Sequence, residues 1–211
     1  MNSAPGANPS AMHTDVCIAL NASPEQMARL LSLQKAFAQV CNALAPIVQR
    51  NRCWNRVTLH HLAYRELRER FPAIGSQMVC NAIYSVSRTS RLLFQHPDSP
   101  FNIARLEGKA LPMLHFTDTC PVYFDRHTLS VKDGRLSMYT LDGRVRFDVA
   151  LEPEHEVSFQ QKKLREVVLS RSAGAYELRF RFSETPDGDV QPIDAAMPAR
   201  IPDYVVIEER P

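Results

Sequence analysis

Gln77, Asn81, Ser85 and Arg88 follow one another at three- and four-residue steps. On a helix such steps fall on one side. Gln and Asn amides can pair with an adenine edge and arginines bind phosphates, so a row of this kind suits a nucleic-acid groove. It equally suits a helix face turned to water. Arg52 and Arg56 come before it, and Trp54 between them could stack on a base or pack at a corner between helices; the sequence leaves both open. His60 and His61 are adjacent, and neighbouring helical positions point about 100° apart, so a helix surface suits them better than one metal site. His155 lies among Glu152, Glu154 and Glu156 in what reads as a loop. No nucleophile is near it in sequence, and solvated charge is the expectation there.

The elements that must position these residues are legible from pattern. Residues 1–13 are small, polar and Pro-bearing and read as a disordered tail. Asp15 to Leu20 reads as a strand. Ser23 as N-cap, Pro24 in the first turn and Gln26 closing a capping box start a helix, along which Met27, Leu30, Leu31, Phe37, Val40, Cys41, Leu44 and Val48 recur at helical spacing. Pro46 is expected to bend or end it near its last turn. Thr58 can cap a second helix to Arg70, with Leu59, Leu62, Ala63 and Leu67 on one face. Pro72 and Gly75 break it, and Ser76 can cap a third over Gln77 to Phe94, with Met78, Ala82, Ile83, Val86 and Leu93 as its apolar stripe. Residues 95–119 read as a linker.

The period then changes. Val122–Asp125, Thr128–Lys132, Arg135–Leu141 and Arg144–Leu151 are short β-rich runs, with hairpin signals at Asp133-Gly134 and Asp142-Gly143. Leu164–Ser170 and Tyr176–Phe182 follow, the latter alternating base and apolar residue, and Tyr204–Ile207 is a last apolar run. A lone first strand has no local partner, so it is expected to join the later sheet. The expected fold is α+β: a β-barrel or strongly curved sheet from residues 14–22 and 115–211, with a helical lobe and linker at 23–114 inserted after the first strand.

The 211 residues are 45% hydrophobic and carry a formal net charge of +2, so partners must be sought in local charge. Arg50, Arg52, Arg56, Arg65, Arg68 and Arg70 face only Glu66 and Glu69 in sequence. Lys162, Lys163, Arg165, Arg171, Arg179 and Arg181 form a second basic group, while acids gather at Glu152–Glu156 and Asp187–Glu209. Segregated charge lets a near-neutral chain hold a polyanion on one face. Cys17, Cys41, Cys53, Cys80 and Cys120 are odd in number and form no CxxC pair, so reduced thiols are expected, with Cys41 and Cys80 in the core, and neither zinc nor another cofactor. No apolar run of membrane-spanning length is present.

Between Leu59 and Val86, Tyr64-Arg65-Glu66-Leu67-Arg68 and Gly75-Ser76-Gln77 echo a "Y-x-x-L-R…L-S/P-S-Q" pattern; Leu31–Asn42, Val122–Ser130 and Leu141-Asp142-Gly143-Arg144-Val145 follow in the matching order. In these stretches the chain resembles the N-terminal half of the OrfB/TnpB proteins of insertion sequences, RNA-guided nucleases related to compact type V CRISPR effectors. The resemblance implies a wedge β-barrel gripping guide RNA and a helical recognition lobe, in a prokaryotic cytoplasm. By position, Gln77, Asn81 and Ser85 would face a motif beside the DNA target, Arg88 and Arg91 its phosphates, with Arg52 and Arg56 on the same lobe; Lys162, Lys163, Arg165, Arg179 and Arg181 would lie on the barrel. The family's RuvC-like domain would begin near Tyr204–Glu208, and the chain ends at Pro211, so no nuclease activity and no catalytic or metal-binding residue is expected.

Three functions follow as expectations. The first is a nuclease-deficient protein binding structured guide-like RNA and a double-stranded DNA target, alone, with a second copy, or beside a separate chain carrying the RuvC-like half. The second is a protein–protein interaction or oligomerisation module on the same fold. The third, a small enzyme on a new site, has no residue constellation behind it.

Overall fold

In a computed structural model, residues 13–183 and 200–208 are described. Of the expected tail at 1–13, residues 1–12 lie outside them and His13 opens the first strand; of the acidic run, Asp187, Asp189, Asp194 and Glu209 lie outside them. The order is β1 (His13–Leu20), α1 (Pro24–Asn51), α2 (Arg56–Arg70), α3 (Ser76–Gln95), β2 (Met113–Phe116), β3 (Val122–Phe124), β4 (Leu129–Lys132), β5 (Arg135–Thr140), β6 (Gly143–Asp148), α4 (Pro153–Gln161), β7 (Lys163–Ser172), β8 (Ala175–Ser183) and β9 (Val205–Glu208). The fold is α+β with antiparallel sheets.

The lone first strand does find its partner late in the chain. β1 pairs with β8 from His13 opposite Ser183 to Leu20 opposite Tyr176. The four-stranded sheet runs β1-β8-β7-β3; β2-β9 and the meander β4-β5-β6 form two more sheets. Among the described residues these do not close into a barrel, which corrects the sequence expectation. The alternating faces explain why. β1 and β8 bury Val16, Ile18, Leu20, Leu178, Phe180 and Phe182 on one side only, whereas β7 buries Glu166 through Leu169 without a break. Since successive strand residues point to opposite faces, the centre of this sheet is covered on both. α3 covers one face, where Tyr84 reaches Glu166. α4 covers the other, with Phe159 edge-on to Phe180 and Phe182, both at 5.0 Å.

α1 starts as its residues dictate. Ser23 Oγ accepts from the Gln26 N–H (3.2 Å) and Gln26 Oε1 from the Ser23 N–H (2.8 Å), with Pro24 in the first turn. The helix does not end at Pro46; it continues to Asn51 and closes on Arg52 in the left-handed region, φ 46°. Proline there removes one N–H donor, but Ala45, Ile47 and Val48 around it are buried and hold the turn in place. Two further helix starts differ from expectation. Asn55, not Thr58, caps α2, its Oδ1 accepting from the Val57 and Thr58 N–H groups (3.0 and 3.1 Å). Gly75 is the N-cap of α3 and Ser76 already lies in the helix. Leu62, placed on the apolar face of α2 by spacing, is exposed, and Cys80 is only half-buried. The supposed linker contains β2, and the supposed acidic loop around His155 is the first turn of α4.

Candidate nucleic-acid interface

The row on α3 is turned inward. Asn81 is 6% exposed and Ser85 fully buried, so neither can reach a nucleic-acid groove, which corrects the roles that the resemblance implied for them. Asn81 Nδ2 donates to the Tyr123 carbonyl of β3 (3.0 Å). Gln77, half-buried, donates from Nε2 to Asp125 Oδ2 (2.5 Å). Asp125 in turn accepts from the His127 and Thr128 N–H groups at 3.0 Å, pinning the turn after β3. Arg88 donates to the Tyr123 hydroxyl (3.0 Å) and sits 3.6 Å from Glu166 Oε1. The physical reason is the partner strand. β3 brings backbone and a phenol against that side of α3, and polar side chains facing a sheet must be hydrogen-bonded there. Arg91 is half-buried on the same helix.

The remaining candidates divide into internal ties and surface groups. Arg181 makes a two-pronged pair with Asp15, both contacts 2.8 Å. That hydrogen bonding, against the cost of burial, raises the guanidinium pKa and secures its charge. Lys162 Nζ donates to Thr14 Oγ1 (2.7 Å), and Arg165, at a bulge in β7, donates to Ser183 Oγ (2.7 Å). Arg52, Arg56, Lys163 and Arg179 are exposed. Arg52 also donates to the Lys109 carbonyl (2.7 Å), and the Arg56 guanidinium lies 5.3 Å from the Tyr84 ring centre.

Trp54 is buried against Phe94, ring centres 5.5 Å apart, so it packs a corner rather than presenting a stacking surface. His60 stacks on Tyr64 at 4.6 Å and His61 is exposed on α2. Among the described residues no three His, Cys, Asp or Glu side chains converge where a metal could sit, and no helix is long and apolar enough to cross a membrane.

Two groups of residues were missed in the sequence. The inner network needs Tyr84, Tyr123 and Glu166. Tyr84 shares the α3 face at three and four residues from Asn81 and Arg88, and Glu166 is the one acid of β7, directly before the apolar run Val167–Leu169; both were visible signals. Tyr123 is held neutral, its phenol pKa pushed well up by burial first and then by Tyr204 beside it. The second group is the outer face of the meander, where Tyr139 is exposed and the Arg144 guanidinium lies 4.1 Å from its ring centre. Beside Tyr139 a cavity of about 220 Å³ opens between the meander and the start of α3, with Gly75, Ser76, Gln77 and His127 in its wall. Neither a protein-family model nor a curated protein matches the chain.

Proposed function

We propose that this chain is a nucleic-acid-binding protein that holds structured RNA without cutting it, a TnpB-like recognition module whose sheets take the part of the wedge. The observation that carries the reading is how the arginines divide. Arg88 is committed to the buried Glu166 carboxylate and Arg181 to Asp15, whereas Arg50, Arg52, Arg56, Arg65 and Arg70 are exposed at the end of α1 and along α2. Within that stretch the only acids are Glu66 and Glu69, and Glu69 already pairs with Arg65 at 3.2 Å. Exposed arginines of this kind bind phosphates in any sequence and draw affinity from counterion release. A double-stranded DNA target, and a separate chain with the RuvC-like half or a second copy of this one, belong to the same reading.

RNA recovered with the protein from cells tests it. Enrichment of one RNA over background is expected, with binding that weakens steeply as salt rises. Arg52→Ala with Arg56→Ala should flatten the slope of log K against log salt by about 1.4 to 1.8 if each arginine neutralises one phosphate. Background RNA and a salt-independent profile would overturn the reading. Val57 (64% exposed) and Leu62 (48%) on α2 favour a second reading, a protein-contact face, and light scattering of the same preparation would report the assembly it predicts.

A further inference from the structure

The meander β4-β5-β6 has two chemically distinct faces. Leu129, Leu136, Met138, Val145 and Phe147 point into the core. Residues one step out of phase with these lie on the other face, where register sets Tyr139 opposite Arg144, Ser137 opposite Arg146, and Arg135 between Lys132 and Asp148. That face carries four cations and one carboxylate, with Asp133 and Asp142 in the flanking turns. Asp148 is 3.6 Å from Arg135 and Asp133 3.9 Å from Lys132, which leaves Arg144 and Arg146 as the cations nearest the cavity end.

Arg144 is held in place before any ligand arrives. Its Nη1 donates to the Ser137 carbonyl and hydroxyl (3.3 and 3.2 Å) and its Nη2 to the His127 carbonyl (3.5 Å). Its guanidinium is thereby held over the Tyr139 ring, which is itself 43% exposed. A tyrosine and an ordered guanidinium on an open antiparallel sheet form a stacking platform for an unpaired base. The cavity beside Tyr139 adds a recess bounded by Gln77 and His127, whose side chains can hydrogen-bond a base edge or a ribose. Arg146, two residues on from Arg144, lies where the next phosphate of a strand leaving the recess would pass.

We propose that the outer face of the meander seats one unpaired nucleotide of a bound single strand, its base stacked on the Tyr139–Arg144 pair at the mouth of the cavity and its neighbouring phosphate on Arg146. This rests on the nucleic-acid reading above but uses residues distant in sequence from the α2 arginines that carry it. Stacking is fitted to a polynucleotide rather than to a free nucleotide because the cationic row continues along the sheet beyond the recess.

The test is fluorescence polarisation of the full chain with a single-stranded RNA 12-mer, a fully paired RNA hairpin closed by a non-nucleotide linker and a mononucleotide at fixed salt. Tyr139→Ala should weaken the single strand about fivefold to 150-fold and leave the hairpin and the salt slope unchanged. Tyr139→Phe should bind as the parent, which separates loss of the ring from misfolding. Arg144→Lys keeps the charge but loses the plane, and should lose affinity with the same salt slope. A bromouridine-substituted 12-mer should photocrosslink at Tyr139. Unchanged single-strand binding by Tyr139→Ala, or an equal loss for the hairpin, would overturn the platform while the broader reading stands. A mononucleotide bound as tightly as the strand would replace the strand site with a free-nucleotide site. A parent protein that binds neither RNA would overturn both.

Discussion

At Arg88 a guanidinium whose side chain is 12% exposed lies beside a Glu166 carboxylate that is 4% exposed, and the same carboxylate accepts from the Tyr84 hydroxyl at 3.0 Å. Two charges held that deep cost desolvation that only good partners offset, so removing one is far worse than removing both. Glu166→Ala should therefore destabilise the protein by about 3–5 kcal/mol, whereas Arg88→Met with Glu166→Leu should cost less than that single change in urea denaturation, keeping only the loss at the Tyr84 and Tyr123 hydroxyls. A single-variant cost below about 1 kcal/mol would mean that the pair is screened like a surface bridge. This residue pair also shows where reading the sequence fell short. Spacing alone put Gln77, Asn81 and Arg88 on one helix side correctly, but spacing says nothing about what lies opposite. Only the arrival of β3, from more than thirty positions further along, turns a row suited to a groove into an interior network.

Among the elements, α1 ties the sheets together through polar side chains along its length. Arg29 donates to Thr140 Oγ1 in the meander (2.8 Å), Gln34 bridges the Cys120 carbonyl (3.1 Å) and the Tyr176 hydroxyl (2.8 Å), and Gln49 donates to the Leu111 carbonyl (2.8 Å). Asn42 does the most specific work. Its Oδ1 accepts from the Phe116 N–H (2.7 Å) and its Nδ2 donates to the Phe116 carbonyl (2.9 Å), so one side chain replaces a neighbouring strand for β2. Asn42→Ala leaves both groups unmet and should cost about 1–3 kcal/mol, with faster hydrogen exchange at the Phe116 amide. Ser23→Ala, which removes the cap alone, should cost about 1 kcal/mol and leave that amide protected. Equal protection loss in both variants would assign the effect to fraying of α1. The capping box and the hairpins were legible because their signals are local: Ser23 and Gln26 three residues apart, Asp133-Gly134 at φ 50° and 69°. β2 was not, because Met113–Phe116 is a strand only by virtue of β9 and Asn42, both remote in sequence. α4 was hidden by its weak apolar pattern, with Ser158 its one buried residue.

Across the whole molecule, one continuous buried cluster runs from Leu30 and Phe37 of α1 through Val79 and Ile83 of α3 to Phe180 and Phe182 of β8. Helices and sheet share it, and they also share the Asn81–Tyr123, Tyr84–Glu166 and Gln34–Tyr176 bonds. Its buried acids-in-waiting give it a pH limit. Burial raises the Cys41 thiol well above 9.0, helped by Cys120 beside it, and raises the Tyr123 phenol well above 10.0 and the Tyr204 phenol from the same value. The folded state keeps these protons where the unfolded chain would release them, so their contribution is complete below pH 9 and is lost as pH rises from there toward the folded values. The urea midpoint should fall between pH 8 and pH 10.5, and fall less in Tyr123→Phe, whatever that variant does to the midpoint at pH 7. A shared core makes a stronger claim about cooperativity. Trp54, the single tryptophan, is buried against Phe94 in the helical part, so its fluorescence follows α1–α3. The sheets are followed separately by the circular dichroism of their strands and by exchange of the β1–β8 ladder amides. If the helices leaned on the sheet only loosely, the two signals would part, with fluorescence changing first. Because Asn81 and Gln34 bind the sheet from buried positions and Tyr84 from a half-buried one, loss of either part strands polar groups of the other in an apolar interior. The two unfolding curves should therefore superimpose within error in urea, and a fluorescence midpoint displaced from the dichroism midpoint would show that the helical insertion folds as a unit of its own.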